Sequence, residues 1–202
     1  MSSENQASGQ FKIKDISKGN RPKWQQYAAV TLGTTAMGTL IKFELINLLC
    51  CNMPGALGIL LRSKLYPTLL QSVGKNVVFG CGVTLRHPQK ITIGNNVIVD
   101  DNCVLDAKGE TNRGITIGND VFIGRNSILY CKNGDMEIQD KVNIGANCEV
   151  YSKQRLVVGK GTLIAAYNYI MSGGRYDYRS AFPLADHSSY SDGPTIFGVN
   201  CW

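Results

Sequence analysis

From Val73 onward the chain repeats every six residues, and a repeat this short leaves few folds open. An aliphatic residue or Phe opens each hexad. Gly or a polar residue often follows, and a small or β-branched residue takes the fifth place, as in Ile93-Gly94-Asn95-Asn96-Val97-Ile98. The openers are Val73, Phe79, Leu85; Ile93, Val99, Leu105; Ile117, Ile123, Leu129; Ile138, Ile144, Val150; and Val158, Ile164, Ile170. These groups of three start 20, 24, 21 and 20 residues apart, and the residues in excess of three hexads always follow the third one. A unit of this size cannot bury its own apolar face, so stacked units must share one core. The spacing predicts an all-β solenoid of triangular coils, with three short strands per coil and every insertion at one corner. An antiparallel meander also alternates apolar residues, but with period two, and does not generate period six. The fourth place holds Asn76, Gly82, Asn96, Asn102, Asp120, Asn126, Asn147, Gly161 and Asn200. These residue types tolerate the positive φ that a sharp corner requires.

The rest of the chain divides by composition. Residues 1–23 form a polar tail expected to be disordered, residues 24–72 an apolar helical region, and residues 73–202 the solenoid, with a long loop at 173–194. No secretory signal opens the chain. The apolar region is split by Lys42 and Glu44, and again at Asn52-Met53-Pro54-Gly55, so neither stretch reaches a transmembrane length of about 18 residues. Helices there are expected to cap the first coil. With Arg62 and Lys64 beside Leu57 to Leu61, peripheral contact with a membrane surface is the alternative. The net charge of +6 comes from basic residues that read as dispersed, and no nucleic-acid module is present. The seven cysteines are odd in number and form no CxxC pair, and Cys103, Cys148 and Cys201 take the fifth hexad place, where small packing residues stand. A reduced, cytoplasmic chain is the expectation.

The hexads occur with Pro54-Gly55-Ala56-Leu57-Gly58, Leu61-Arg62-Ser63-Lys64-Leu65-Tyr66-Pro67, Leu85-Arg86-His87-Pro88, Val104-Leu105-Asp106-Ala107-Lys108-Gly109 and Cys131-Lys132-Asn133-Gly134. Over about residues 40–202 this combination resembles the hexapeptide-repeat acyltransferases, in particular the sugar, capsule and lipopolysaccharide O-acetyltransferases. The resemblance implies a left-handed parallel β-helix assembled as a homotrimer with active sites between subunits. It also implies acetyl-CoA as acyl donor, a saccharide or glycolipid hydroxyl as acceptor, and a loop His as general base. γ-Class carbonic anhydrases and translation-factor subunits use the same repeat.

The long loop is where the chemistry is expected. Phe197, the next opener after Ile170, stands 21 residues beyond its regular position at 176. Loops this long, held by a rigid scaffold, concentrate binding and catalytic groups. In the resembling enzymes the loop opens with Gly-Gly, a variable residue, then His-Asp-Tyr; this chain reads Gly173-Gly174-Arg175-Tyr176-Asp177-Tyr178, which puts Tyr176 at the place of the base. A phenol titrating near about 10 is a poor base at neutral pH, whereas imidazole titrates near about 6.5. His187 is therefore the candidate base from within the same loop, with Asp186 or Asp177 to orient its ring. Arg175, with Arg179, is the candidate for a phosphate or acidic sugar, and Asn168 and Asp186 for acceptor contacts. Asp106 reads as a turn-stabilising residue and Lys108 as its neighbour in the motif. His87 reads as a corner residue on the order of 19 Å along the axis from the long loop, at about 4.8 Å per coil. Two histidines cannot supply the three ligands of a carbonic anhydrase zinc site, and no metal is expected.

Phe197-Gly198-Val199-Asn200-Cys201-Trp202 opens a sixth coil and the sequence stops there, which suggests a truncated product. That ending, together with Tyr176, sustains a second reading: a catalytically inactive homologue serving as a trimeric structural or binding protein.

Overall fold

The computed structural model describes residues 22–175 and 189–202. Sixteen short strands wind into a parallel β-solenoid of about five turns with three faces. The first sheet joins Ser72–Val73, Ile91–Ile93, Ile115–Ile117, Asp135–Ile138, Arg155–Val158 and Thr195–Phe197. The second joins Val78–Phe79, Ile98–Val99, Phe122–Ile123, Asn143–Ile144 and Leu163–Ile164. The third joins Thr84–Arg86, Val104–Asp106, Ile128–Cys131, Glu149–Ser152 and Tyr169–Ser172.

The register stacks the hexad openers in three columns. Val73, Ile93, Ile117, Ile138, Val158 and Phe197 pair in the first sheet. Phe79, Val99, Ile123, Ile144 and Ile164 pair in the second. Leu85, Leu105, Leu129, Val150 and Ile170 pair in the third. Strands of two to four residues have no independent stability, so the fold rests on burying these columns, at roughly 1.5–3 kcal/mol per large side chain. All nine fourth-place residues named above adopt positive φ, between 54° and 72°. Their polar side chains also stack along the axis: Asn76 Nδ2 donates to Asn96 Oδ1 (3.1 Å), and Asn96 Nδ2 to Asp120 Oδ1 (2.9 Å).

Lys141 (φ 58°) and Tyr167 (φ 61°) take the same backbone conformation at the same place in the hexad, although their side chains do not favour it. Their neighbours in the stack impose the corner. Lys141 is exposed and next in line after Asp120, so Lys141→Asn removes strain. We expect it to raise stability by about 1 kcal/mol, read from the urea midpoint.

Helices α1 (Lys23–Leu32), α2 (Met37–Cys50) and α3 (Gly55–Leu65) precede the coils. The helical region thus begins at Lys23, a residue that composition assigns to the tail; the other end of that tail, residues 1–21, lies outside the described residues. Composition also splits the apolar region at Lys42 and Glu44, but α2 runs through both, because their side chains are exposed while Leu40, Phe43, Ile46 and Cys50 form its buried face. The break falls instead at Gly33, whose φ of 67° ends α1 with its N–H on the Ala29 carbonyl. Pro54 precedes the first turn of α3, where its missing N–H costs nothing.

The helices close the open edge of the first coil with hydrogen bonds. Arg62 Nε donates to the Phe79 carbonyl (2.9 Å), Ser63 Oγ to Val77 (3.2 Å) and the Tyr66 hydroxyl to Val83 (3.1 Å), while Gly82 N–H donates to the Cys51 carbonyl (2.8 Å). Arg62 is buried rather than placed at a surface, and its Nη1 also donates to the carbonyls of Cys50, the last residue of α2, and Met53, in the turn after it (both 2.7 Å). No single helix among the described residues is long and apolar enough to cross a membrane; α1 and α2 pass that test only as a pair bent by 72°.

The seven cysteines are all free. Burial pushes the Cys103 thiol up to about 11 and raises Cys50, and it raises Cys131 further, with Asp106 and Asp135 adding to the effect. Cys50, Cys103, Cys131 and Cys148 are buried, whereas Cys51, Cys81 and Cys201 are half-buried. At pH 8, Ellman's reagent should therefore titrate no more than three thiols in the native protein and all seven in guanidinium.

Candidate functional site

The insertions gather at the corner that follows the third sheet, so one edge of the prism carries the segments 87–90, 107–114, 132–134 and 153–154 and, of the long loop, its described ends 173–175 and 189–194. Beside this edge the register aligns Arg86, Asp106, Tyr130, Tyr151 and Met171 in one column, with Asp106 and Tyr151 buried and the others at least partly exposed. The rings of Tyr130 and Tyr151 lie 4.7 Å apart, tilted by 41°. Burial first, and then the carboxylate of Glu149, pushes the Tyr130 phenol up to about 12, so it remains a protonated hydrogen-bonding group.

At the turn itself the next column closes each coil. Cys131 Sγ points to the Gly114 carbonyl (3.7 Å), Ser152 Oγ donates to Asp135 (2.6 Å) and Ser172 Oγ to Arg155 (2.7 Å). One residue further, Lys108, Lys132 and Lys153 follow on successive coils, about 4.8 Å apart along the axis. Burial holds Lys153 below the usual lysine range, and the charge of Lys132 adds to that. Lys108 is lowered mainly by burial and also by Arg86 and Lys132, against the opposing pull of Asp106. Cationic groups crowded in this way gain from an anionic neighbour.

The stems of the long loop are fixed above these columns. Gly173 and Gly174 have φ of 86° and 92°, and a Cβ added to Gly174 would lie 3.1 Å from Met171 Sδ and 3.4 Å from Tyr151 Cε1. The positive φ at both positions is what favours glycine as the chain passes over Tyr151. Arg175 and Tyr190 exchange backbone hydrogen bonds (3.0 and 2.8 Å), Arg175 pairs with Asp192, and Lys153 Nζ donates to Ser189. Ser191 Oγ adds a bond to Gln154 Oε1 (3.1 Å).

Of the residues singled out from the sequence, Tyr176, Asp177, Asp186 and His187 lie outside the described residues, as does Arg179. Arg175 sits at the base of the loop with its guanidinium on Asp192. Asn168 lies at the opposite end of the strand Tyr169–Ser172, and its Nδ2 donates to the Ala165 carbonyl of its own turn (2.8 Å). Asp106 accepts from Lys108 N–H (3.1 Å), the turn role expected of it.

What sequence reasoning missed is the company Asp106 keeps. His87 is only 2% exposed, and its Nδ1, which has no hydrogen-bond partner, lies 3.6 Å from Asp106 Oδ1. The ring packs under Gly33, where a Cβ would come within 2.6 Å of its Cδ2, and His87 N–H donates to the Thr31 carbonyl (2.8 Å). His87 thus locks α1 onto the first coil. The 20-residue offset between openers, applied to Arg86 and Asp106, was the available signal.

No protein-family profile matches this sequence, and no curated protein matches it. Solved structures do. The hexapeptide-repeat containing acetyltransferase VCA0836 from Vibrio cholerae aligns over 78% of this chain and 89% of its own, with 17% identity and a TM-score of 0.51. The same enzyme complexed with acetyl coenzyme A aligns over 77% and 88%, with 16% identity and a TM-score of 0.51. A point mutant of AntD, an N-acyltransferase from Bacillus cereus, in complex with dTDP and coenzyme A aligns over 55% and 72%, with 24% identity and a TM-score of 0.39. The likeness is one of fold. Among the described residues, no group of three or more His, Cys, Asp or Glu side chains could hold a metal ion.

Proposed function

We propose that this protein is an acetyl-CoA-dependent O-acetyltransferase acting on a hydroxyl of a saccharide or glycolipid, and that it works as a homotrimer. One observation carries the reading: the solenoid directs its insertions to a single edge, and there the anchored ends of the long loop, the Tyr130–Tyr151 pair and three stacked lysines converge. The fold likeness to VCA0836, which was crystallised with acetyl coenzyme A, supports the same donor here. Lys108, Lys132 and Lys153 follow one another on adjacent coils and suit the phosphates of such a donor, whose negative charge offsets the repulsion that Lys132 exerts on the other two.

In this reading His187 accepts the proton of the acceptor hydroxyl as its oxygen bonds to the acyl carbon. It then returns the proton to the sulfur as the carbon–sulfur bond breaks. Asp186 or Asp177 orients the ring, and Tyr176 donates a hydrogen bond rather than serving as base. Arg175 meets the acceptor from the base of the loop. Titrating acetyl-CoA calorimetrically and following thiol release with a panel of sugars and amino sugars tests the proposal. Hydroxyl acceptors should support release. Transfer confined to amines would replace the O-acetyl assignment, and activity appearing only in Tyr176→His would favour the inactive-homologue reading.

A further inference from the structure

We infer that the outer face of α2 and α3 is a docking surface for an anionic lipid bilayer. Helix α2 has two apolar faces. One carries Leu40, Phe43, Ile46 and Cys50 into the core, and the other leaves Met37, Ile41, Leu45, Leu48 and Leu49 exposed. The second set recurs at helical spacing, and Leu48, near its end, is 83% exposed. Helix α3 repeats the arrangement: Gly58 and Arg62 face the first coil, while Leu57, Ile59 and Leu60 are exposed. An ordinary capping helix needs only its inner stripe, and a second apolar stripe on each of two adjacent helices marks an interaction surface.

The charge distribution selects the occupant. Residues 22–72 hold four Lys or Arg against one Asp or Glu, whereas residues 73–202 hold thirteen against twelve. Three of the six net positive charges therefore belong to the helical segment that carries the apolar face, a larger share than its length alone would give, where the sequence reads the basic residues as dispersed. Arg62 is buried, but Lys23, Lys42 and Lys64 are exposed, and Glu44, which accepts from the Tyr27 hydroxyl (2.7 Å), is the one acidic residue between 22 and 72. Exposed leucines set among lysines match the acyl boundary and headgroups of an anionic leaflet. A second copy of this face would bring the same positive charge against itself.

The test is sedimentation of the full chain with phosphatidylcholine vesicles, with and without phosphatidylglycerol, beside a Leu45→Ser/Leu48→Ser variant. Both leucines are exposed, so the variant should retain the parent melting temperature. The parent should partition onto phosphatidylglycerol vesicles, less strongly at high salt, and the variant at least about tenfold more weakly. Failure of the parent to bind, or equal binding by a folded variant, would overturn the proposal. So would a variant that dissociates a parent oligomer while neither protein binds lipid, because that result would assign the face to contact between copies. Lipid binding is read without turnover, so it stands or falls apart from acetyl transfer.

Discussion

Replacing Arg62 with methionine is expected to lower the unfolding free energy by about 3–5 kcal/mol, because the change strands buried carbonyls that the guanidinium satisfies. Its Nε and Nη1 hold Phe79 of the first coil, Cys50 at the end of α2 and Met53 in the turn that follows, so one side chain in α3 ties the α2–α3 turn to the solenoid. Methionine fills much of the volume and supplies no donor. Lysine retains the charge but not the fork, and Arg62→Lys should fall between the two. Urea denaturation followed by circular dichroism reads both variants. A methionine variant within about 1 kcal/mol of the parent would show that the cap does not depend on these bonds. The same site explains Gly58, one turn earlier: a Cβ there would lie 1.8 Å from the Met53 carbonyl oxygen, in the space the guanidinium shares.

The second large effect is catalytic. His187→Ala should reduce kcat/KM for acetyl transfer by about 10²–10⁴-fold without changing the melting temperature, the range expected when a general base is lost. Tyr176→Phe should change it by less than about tenfold if the phenol only donates a hydrogen bond. The pH profile separates the two residues independently. A histidine base acts when neutral, so kcat/KM should fall with acidity below about pH 6.5, whereas a tyrosine base would place the rise near pH 10. Full activity in His187→Ala, or a rate still rising steeply toward pH 10, would remove His187 from the role.

Much of the architecture was legible because its physics is periodic. The hexad openers had to face inward, and their register in three columns follows from the 20- to 24-residue spacing alone. Corner residues were legible where side-chain type matched backbone need, as at Asn96. They were not legible at Lys141 and Tyr167, where stacking neighbours impose a conformation those residues resist. The capping helices were readable as helices, but the burial of Arg62 was not: a cation beside leucines reads as a surface residue until three carbonyls converge on it. His87 was misjudged in another way. Its place at a corner was correct, yet its approach to Asp106 and Gly33 depends on contacts between distant segments. Along the candidate edge, the spacing of the openers marked the corner that collects the insertions. The lysine stack emerges only once register places Lys108, Lys132 and Lys153 on adjacent coils.

The most direct test of the central claim is the mass of the acceptor after incubation of the purified full chain with acetyl-CoA and a saccharide panel. The account predicts a saccharide that gains one acetyl group on oxygen, labile to mild base, with one equivalent of free coenzyme A thiol released. No acetylated product from any saccharide, together with no acetyl-CoA binding, would contradict it.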